Sequence, residues 1–333
     1  MTTTRPPDQQ AATAIATIGD DDRWTGTRVV VTGGSGFLGR VVVAKLRARG
    51  ADVVAPRSSK YDLTVPGDAE RMLADHRPAH VVHLAARVGG IGYNQVAPAP
   101  LYLDNLMMGT YVIEAARTAA SAPKTTLVGT VCSYPKFTPV PFQEASLWDG
   151  YPEETNAPYG VAKKAVLVGA QAYREQYGLN AIFLLPANLY GPRDNFHSTN
   201  AHVIADLIRK MLESSDEVVL WGDGSPTREF LYVDDCVDGL VLAAERYDGA
   251  DPVNLGASRE ISIRDLAELI ADVTGFEGSI TWDTTKPNGQ LRRSVDGTRA
   301  RELFGFEART PLREGIERTV AWYRAAVAGV GSH

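Results

Sequence analysis

The first half of the chain alternates short β-branched apolar runs with longer segments whose apolar residues recur at helical spacing. Residues 27–32 form a continuous apolar run that predicts a strand buried on both faces, as in a parallel sheet. Residues 37–49 have helical spacing, and Gly50 supplies a C-terminal stop. The same alternation predicts the following elements: strand 52–55, helix 69–76, strand 81–84, helix 101–120, strand 125–129, helix 159–177 and strand 181–185. This order predicts an α/β fold with a doubly wound parallel sheet.

Beyond Pro186 the pattern becomes irregular, because Pro and Gly interrupt short elements. We therefore predict a smaller C-terminal α/β region at residues 187–333, packed over one end of the sheet. The sheet domain would span residues 27–186, with later segments crossing back to it. Residues 1–26, rich in Thr, Ala, Gln and Asp, are predicted to be a flexible leader.

Composition narrows the classes of protein that this chain can belong to. Its 333 residues are 44% apolar and 22% charged, and the formal net charge is −6, which argues against a general nucleic-acid or anionic-membrane binder. The sequence contains no run of about 18 consecutive apolar residues, so we predict neither a membrane span nor a signal peptide. The two cysteines, Cys132 and Cys236, form no CxxC pair. We therefore expect no disulfide framework, no metal site and a cytoplasmic location.

Three glycines, Gly33, Gly36 and Gly39, follow the first predicted strand with GxxGxxG spacing and open the first predicted helix. Without a Cβ the chain can turn sharply and approach a pyrophosphate, whose charge the N–H groups and dipole of the helix terminus stabilise. A tight turn without a ligand is the structural alternative. The strand–turn–helix setting favours a Rossmann-type dinucleotide site.

The end of the second strand indicates which dinucleotide binds. An NAD-selective site usually places a carboxylate there, whereas this chain has Arg57 and no carboxylate until Asp62. A guanidinium binds a 2′-phosphate through paired charge-assisted hydrogen bonds. NADP(H) is therefore favoured and NAD(H) remains an alternative, as does a purely solvated Arg57.

Tyr159 and Lys163 lie four residues apart on one predicted helical face. A nearby ammonium favours the phenolate, so we expect the pKa of Tyr159 to be lowered. The pair could then move a proton to or from a carbonyl oxygen as hydride is transferred. An exposed pair without chemistry is the alternative interpretation.

These motifs together resemble the extended short-chain dehydrogenase/reductase family, from residue 27 to the last helix. The resemblance is carried by the glycine turn, the Tyr159–Lys163 pair and four further runs: residues 62–63, 83–86, 186–192 and 221–230. Within that family the chain is similar to the GDP-L-fucose synthases, which are 3,5-epimerase/4-reductases. That similarity lies in residues 87–91, 132–136, 191–197 and 200–204.

The resemblance implies two catalytic groups. Thr130, Tyr159 and Lys163 would form the hydride-transfer group, and Cys132 and His202 the acid/base pair for epimerisation. Both C3 and C5 of the sugar flank the C4 ketone, so loss of either proton gives an enolate stabilised by the same hydrogen-bond donors. Reprotonation from the opposite face inverts the centre, which requires groups on both sides of the ring. Alone, Cys132 would more often be an inert buried thiol and His202 an ordinary helix residue.

The same resemblance implies the binding residues. The implied cofactor-binding residues are Gly33, Gly36, Phe37, Leu38, Gly39, Arg57, Asp62, Leu63, Leu84, Ala85, Ala86, Tyr159, Lys163, Pro186, Asn188 and Leu189. The implied substrate-binding residues are Val88, Gly89, Asn188, His202, Lys210, Trp221, Arg228 and Lys286, with His197 a further candidate. Arg228 and Lys210 suit a diphosphate, so a nucleotide-diphosphate sugar, GDP-linked by preference, is the expected substrate. The helices beginning near residues 101 and 159 are expected to pair across a two-fold axis in a homodimer.

The chain departs from the fucose synthase pattern at three positions. Thr130 replaces a serine, Lys210 stands where that family tends to carry arginine, and Ser35 where it often has arginine. A nucleotide-sugar epimerase acting on another hexose or heptose without net reduction is therefore an alternative. A sugar 4,6-dehydratase is weaker, since residues 131–133 lack its Asp-Glu pair. A non-catalytic NADP-binding regulator is disfavoured because Tyr159 and Lys163 are both present.

Overall fold

The computed structural model describes residues 22–89, 91–196, 201–286 and 288–330. The strands are β1 Arg28–Thr32, β2 Asp52–Val54, β3 His80–His83, β4 Lys124–Val128, β5 Ala181–Pro186, β6 Asn188–Tyr190, β7 Glu217–Trp221, β8 Thr227–Tyr232, β9 Val253–Leu255, β10 Glu260–Ser262, β11 Ser279–Asp283 and β12 Arg292–Arg293. The helices are α1 Phe37–Ala48, α2 Asp68–His76, α3 Ile91–Val96, α4 Pro98–Thr118, α5 Ala157–Tyr177, α6 Val203–Glu213, α7 Val233–Arg246, α8 Ile263–Thr274, α9 Thr298–Phe304 and α10 Leu312–Val330.

Within the described residues a six-stranded parallel sheet forms the centre of the fold, in the order β2-β1-β3-β4-β5-β9. Val29, Val30 and Val31 of β1 have no solvent exposure, because strands on both sides and helices on both faces cover them. Helix α1 packs against α7, while α4 packs against α2 and α5. The predicted doubly wound Rossmann-type fold is confirmed.

The elements predicted for the first half of the chain are present with ends shifted by a few residues. The largest difference is at α4, which begins at Pro98 and follows the short helix α3. Proline suits the first turn of a helix, where its missing N–H is not needed. The sequence pattern placed this start three residues too late because Pro98 and Pro100 resemble helix breakers.

A second set of strands lies beyond Pro186, where the sequence pattern was irregular. Strand β8 pairs with β6, β10 and β12, and β7 pairs with β11. A separate apolar cluster, which includes Ile208, Leu266 and Ile270, lies among α6, α8 and α10. The chain also returns to the central sheet, since β9 pairs with β5. The domain boundary near Pro186 stays a prediction.

The predicted flexible leader needs a correction at its end. Residues 1–21 lie outside the described residues, but Asp22–Trp24 forms a 3₁₀ helix and Trp24 is only 1% exposed. The indole Nε1 of Trp24 donates a hydrogen bond to Glu245 Oε1 over 2.6 Å, and its ring packs on His80. Burial of this large aromatic side chain offsets the entropy of ordering the segment.

In the part of the chain that the structure describes, no helix combines the length and apolar character needed to cross a bilayer.

Candidate active site

A cavity of about 1450 Å³ opens at the carboxyl ends of the central parallel strands. The segments that follow β1, β3, β4 and β5 line one side of it, and residues from α6, β7 and β8 line the other. Ligands of doubly wound sheets bind in this position, where the strand order reverses.

Most of the site residues predicted from the sequence line this one cavity. They are Gly33, Gly36, Phe37, Leu38, Gly39, Asp62, Leu63, Leu84, Ala85, Ala86, Val88, Gly89, Thr130, Cys132, Tyr159, Lys163, Pro186, Asn188, Leu189, His202, Lys210, Trp221 and Arg228. Arg57 and Lys286 are not among the lining residues, and His197 lies outside the described residues.

Close backbone packing at the glycine turn leaves no room for a Cβ at Gly33 or Gly39. Gly33 has φ +68°, and a Cβ there would lie 2.8 Å from Ala85 N. A Cβ on Gly39 would lie 2.1 Å from Gly33 O, closer than any real contact. Gly36 caps α1 without a side-chain hydrogen bond, so the first N–H groups of this helix have no protein partner in the helix itself. This cradle fits a dinucleotide pyrophosphate.

The end of β2 offers a cation for a 2′-phosphate. Pro56 and Ser58 line the cavity, and Arg57 between them is exposed. The Asp62 carboxylate accepts hydrogen bonds from the N–H and hydroxyl of Thr64, which lower its pKa. That carboxylate therefore stabilises its own turn. The arrangement is compatible with NADP and keeps Arg57 as a candidate.

Lys163 is buried under the central strands and points at the backbone. Its Nζ donates a 2.9 Å hydrogen bond to Val128 O and lies 5.8 Å from the centre of the Tyr159 ring. Burial lowers the pKa of Lys163 to about 8. Burial also lowers the pKa of the adjacent His83 to about 3, with a further effect of the Lys163 charge. Neutral His83 and charged Lys163 are therefore the forms present near pH 7.

The expected lowering of the Tyr159 pKa is wrong for this arrangement. Burial of the phenol raises its pKa, and a negative charge on Cys132 adds to the effect. The reason is that Lys163 directs its ammonium to Val128 O rather than to the phenol oxygen. The Tyr159 phenol is therefore protonated at neutral pH.

Thr130 and Cys132 are held by a short 3₁₀ helix, Val131–Ser133, directly after β4. The Thr130 hydroxyl oxygen accepts a 3.2 Å hydrogen bond from Cys132 N, which caps this helix. Gly160 of α5 packs so closely that a Cβ there would lie 2.6 Å from Cys132 O. The tight contact brings the thiol segment against the helix that carries Tyr159.

Sequence reasoning missed Arg293. Strand β12 pairs with β8 so that Arg293 lies beside Arg228. Arg293 Nη1 donates a hydrogen bond to Cys132 Sγ over 3.5 Å, and both arginines line the cavity. Burial lowers the pKa of Arg228 to about 10, with a smaller contribution from the Arg293 charge. No local sequence signal could have found this contact, which spans 161 residues.

His202 caps the N-terminus of α6 and lines the cavity, with its side chain 44% exposed. Its Nδ1 lies 3.1 Å from Oδ1 of Asp194, whose side chain is 2% exposed. The hydrogen bond to Asp194 raises the pKa of His202 against the opposing effect of burial. The imidazolium is thereby favoured. Asp194 belongs to the 191–197 run that carries the family resemblance, but the sequence assigned it no role.

Two of the remaining predicted substrate residues, Lys210 and Trp221, line the cavity, and Lys286 does not. Lys210 pairs with Asp206 at 2.8 Å. Trp221 is 67% exposed, and Lys286 Nζ lies 5.7 Å from its ring centre. Lys286 therefore lies beside Trp221 and is not itself a lining residue.

Known proteins resemble this chain over most of its length. Residues 29–256 match the family model described as the NAD dependent epimerase/dehydratase family. The chain belongs to that family. Among its relatives is a probable GDP-L-fucose synthase 1 of Oryza sativa subsp. japonica, 42% identical over 90% of this chain and 92% of the relative. The GDP-L-fucose synthase of Escherichia coli (strain K12) is 35% identical over 89% of this chain and 96% of its own length.

Solved structures of other proteins share the fold of this chain. A crystal structure of a GDP-L-fucose synthetase from Naegleria fowleri bound to NADP superposes with a TM-score of 0.82. It is 27% identical and covers 91% of this chain and 96% of that chain.

Proposed function

We propose that the protein is an NADP(H)-dependent sugar-nucleotide epimerase/reductase of the GDP-L-fucose synthase type, which acts on a GDP-linked 4-keto-6-deoxyhexose. The observation that carries the proposal is the meeting of two chemical groups in one cavity. Thr130, Tyr159 and Lys163 lie with the glycine turn, and Cys132 and His202 line the same space. The curated relatives are named GDP-L-fucose synthases, and a solved relative binds NADP.

The reduction uses Tyr159 as proton donor. NADPH, held by the glycine turn and the end of β2, supplies the hydride for C4 when it is bound. The raised pKa of Tyr159 keeps a proton on the phenol, as required for donation to the developing alkoxide. The Thr130 hydroxyl donates a second hydrogen bond to the same oxygen. Lys163 stabilises negative charge near the phenol once its proton has left.

The epimerisation uses Cys132 as base and His202 as acid. Arg293 Nη1 donates to the Cys132 sulfur, which stabilises negative charge there. The raised pKa of His202 favours the imidazolium, a proton donor. Sulfur accepts the proton from C3 or C5, the electrons move into the C4 carbonyl as an enolate, and His202 protonates the opposite face. Both groups then regain their starting protonation from solvent.

The charges at the centre of the cavity suit a diphosphate. Arg228 and Arg293 are neighbours across β8 and β12, and no ion pair to either is found within the described residues. Two guanidiniums without carboxylates bind phosphate oxygens through paired charge-assisted hydrogen bonds. Trp221, exposed at the outer end, offers an aromatic face to the nucleotide base.

The proposal extends to assembly and location. Helices α4 and α5 pack together and leave apolar side chains exposed, with Leu103 at 54% and Val168 at 49%. We propose that a second copy covers this surface in a homodimer. Leu103→Asp should then give a monomer by light scattering, and a dimer that survives this change would show that this surface is not the dimer interface.

A cytoplasmic location is proposed because Cys132 and Cys236 are both free thiols.

The function is tested with the purified chain, NADPH and GDP-4-keto-6-deoxymannose in deuterium oxide. We expect deuterium at C3 and C5 by proton NMR, together with NADPH oxidation. Tyr159→Phe should stop the oxidation and leave ring deuteration measurable, while Cys132→Ser should suppress deuteration by at least roughly a hundredfold. Deuteration without NADPH oxidation would instead identify an epimerase without net reduction. NADPH binding with neither activity would refute the proposal.

A further inference from the structure

Asp194 is a buried carboxylate that contacts His202, a cavity-lining residue, and it lies in a turn after β6. The turn contains Arg193 with φ +69°, in the left-handed region, and Asp194 N donates to Gly191 O over 3.3 Å. Asp194 Oδ1 also accepts a 2.7 Å hydrogen bond from Asn195 N. The backbone of the turn therefore holds the Asp194 carboxylate in place independently of its contact with His202.

The contact between Asp194 and His202 determines which ring nitrogen can do chemistry. A carboxylate only accepts hydrogen bonds, so the hydrogen between Oδ1 and Nδ1, 3.1 Å apart, belongs to the ring. Nε2 is then the nitrogen left for a molecule in the cavity. Neutral His202 with its hydrogen on Nε2 would lose this contact.

The charge of Asp194 is compensated by His202 and by no other cation within the described residues. Asp194 Oδ2 is buried and has no hydrogen-bond partner in that part of the chain, while Oδ1 forms the ion pair with His202. The other carboxylate near His202 is Asp206 of α6, whose oxygens are paired with Arg209 at 2.6 Å and Lys210 at 2.8 Å. A buried carboxylate without another partner favours a cation beside it.

We propose that Asp194 is a positioning residue for epimerisation, which holds the His202 ring with Nδ1–H toward itself and Nε2 toward the sugar. This inference rests on the proposed function of His202 as the acid. Loss of the carboxylate would release the ring, permit the other tautomer and remove the charge that favours the imidazolium. Within the described residues, Asp194 is the charged group whose interaction raises the pKa of His202, while Cys132 and Lys210 line the same cavity.

The test compares Asp194→Asn, His202→Gln and the double variant with wild type, in the full chain with NADPH bound. Deuterium incorporation at C3 and C5 should fall roughly tenfold to a hundredfold in Asp194→Asn, since a well-placed acid contributes about 10²–10⁴ to the rate. The double variant should lose no more than His202→Gln alone. Asp272→Asn, an exposed carboxylate paired with Arg313, is the matched control and should exchange as wild type does.

A second readout needs no turnover. Nitrogen-15 NMR of the six histidines, with His202→Gln to assign the signal, should show Nδ1–H in wild type and a lower titration midpoint for His202 in Asp194→Asn. Exchange within twofold of wild type, an unchanged midpoint, or a further loss in the double variant would overturn the inference.

Stability and cofactor binding separate this role from a structural one. Asp194→Asn and a second variant, Asp194→Ser, should bind NADPH within twofold of wild type by fluorescence. If neither does, the carboxylate serves the fold and the inference is overturned. If the wild type exchanges no ring protons but the titration midpoint of His202 still depends on Asp194, the proposed function is wrong. The coupling between Asp194 and His202 would still hold in that case.

Discussion

Lys163 carries a charge that folding has to bury, so its replacement should stabilise the protein while it removes the reductase activity. Burial lowers the pKa of Lys163 from its ordinary value of 10.5 to about 8, and the residue is 4% exposed. Because one pKa unit corresponds to about 1.4 kcal/mol, this difference corresponds to about 3 kcal/mol of unfolding free energy lost at neutral pH.

The substitution Lys163→Met removes the charge and keeps much of the apolar volume. It also removes the 2.9 Å hydrogen bond to Val128 O and leaves that carbonyl unpaired, at a cost of about 1–2 kcal/mol. We therefore expect a net gain of about 1–2 kcal/mol in the free energy of unfolding at pH 7. A catalytic group retained at the expense of stability is a common compromise in enzymes.

The gain should depend on pH in a defined way. Below about pH 8 the lysine is charged in both the folded and the unfolded protein, so the full penalty is present. Between about pH 8 and 10.5 the folded lysine is neutral while the unfolded one still binds a proton, and the penalty disappears. The advantage of Lys163→Met should therefore be constant up to pH 8 and shrink above it.

Urea unfolding followed by tryptophan fluorescence, at pH 7 to 10 without added nucleotide, measures this gain. Lys164→Met is the matched control, since Lys164 Nζ also donates to a backbone oxygen, Leu147 O at 2.6 Å, but does not line the cavity. The control should keep its NADPH oxidation. The reasoning is refuted if Lys163→Met is less stable than wild type at pH 7, or if its advantage does not change with pH.

Three further predictions follow from the site and the sheet. Gly39→Ala places a Cβ 2.1 Å from Gly33 O and should abolish NADPH binding in a fluorescence titration. The control is Gly169→Ala, whose Cβ has Ile113 as its nearest neighbour at 3.7 Å and which should bind NADPH normally. Equal NADPH affinities of the two variants would contradict the close packing at Gly39. Arg57→Glu should weaken NADPH at least roughly tenfold relative to NADH, whereas an equal change for both cofactors would show that Arg57 is only solvated. Burial lowers the pKa of His80 to about 4 and of His83 to about 3. As the pH falls below 6.5, the ordinary pKa of histidine, both side chains therefore take up protons in the unfolded chain but not in the folded protein. The urea midpoint of the wild type should thus decrease as the pH is lowered from 6.5 to about 4. The midpoint of His80→Phe should decrease less steeply with pH, and equal slopes for the two proteins would exclude His80 as a cause.

The local parts of the site could be predicted because spacing along one element fixes them. The glycine turn follows a β-branched strand and opens a helix, so the spacing of Gly33, Gly36 and Gly39 is enough to indicate a dinucleotide. Tyr159 and Lys163 share a helical face for the same reason. The order of strands and helices up to Pro186 likewise follows from apolar periodicity, which depends on residues near one another in the chain.

The contacts between distant segments were decided by the tertiary structure alone. Arg293 reaches Cys132 only because β12 pairs with β8, and Trp24 is ordered only because the core offers it a place beside Glu245. The direction of the shift in the Tyr159 pKa was predicted wrongly. Lys163 donates its hydrogen bond to Val128 O, an acceptor that the spacing of residues along the chain does not reveal. Periodicity and turn chemistry act over a few residues, whereas burial and charge depend on which remote atoms displace water around a group.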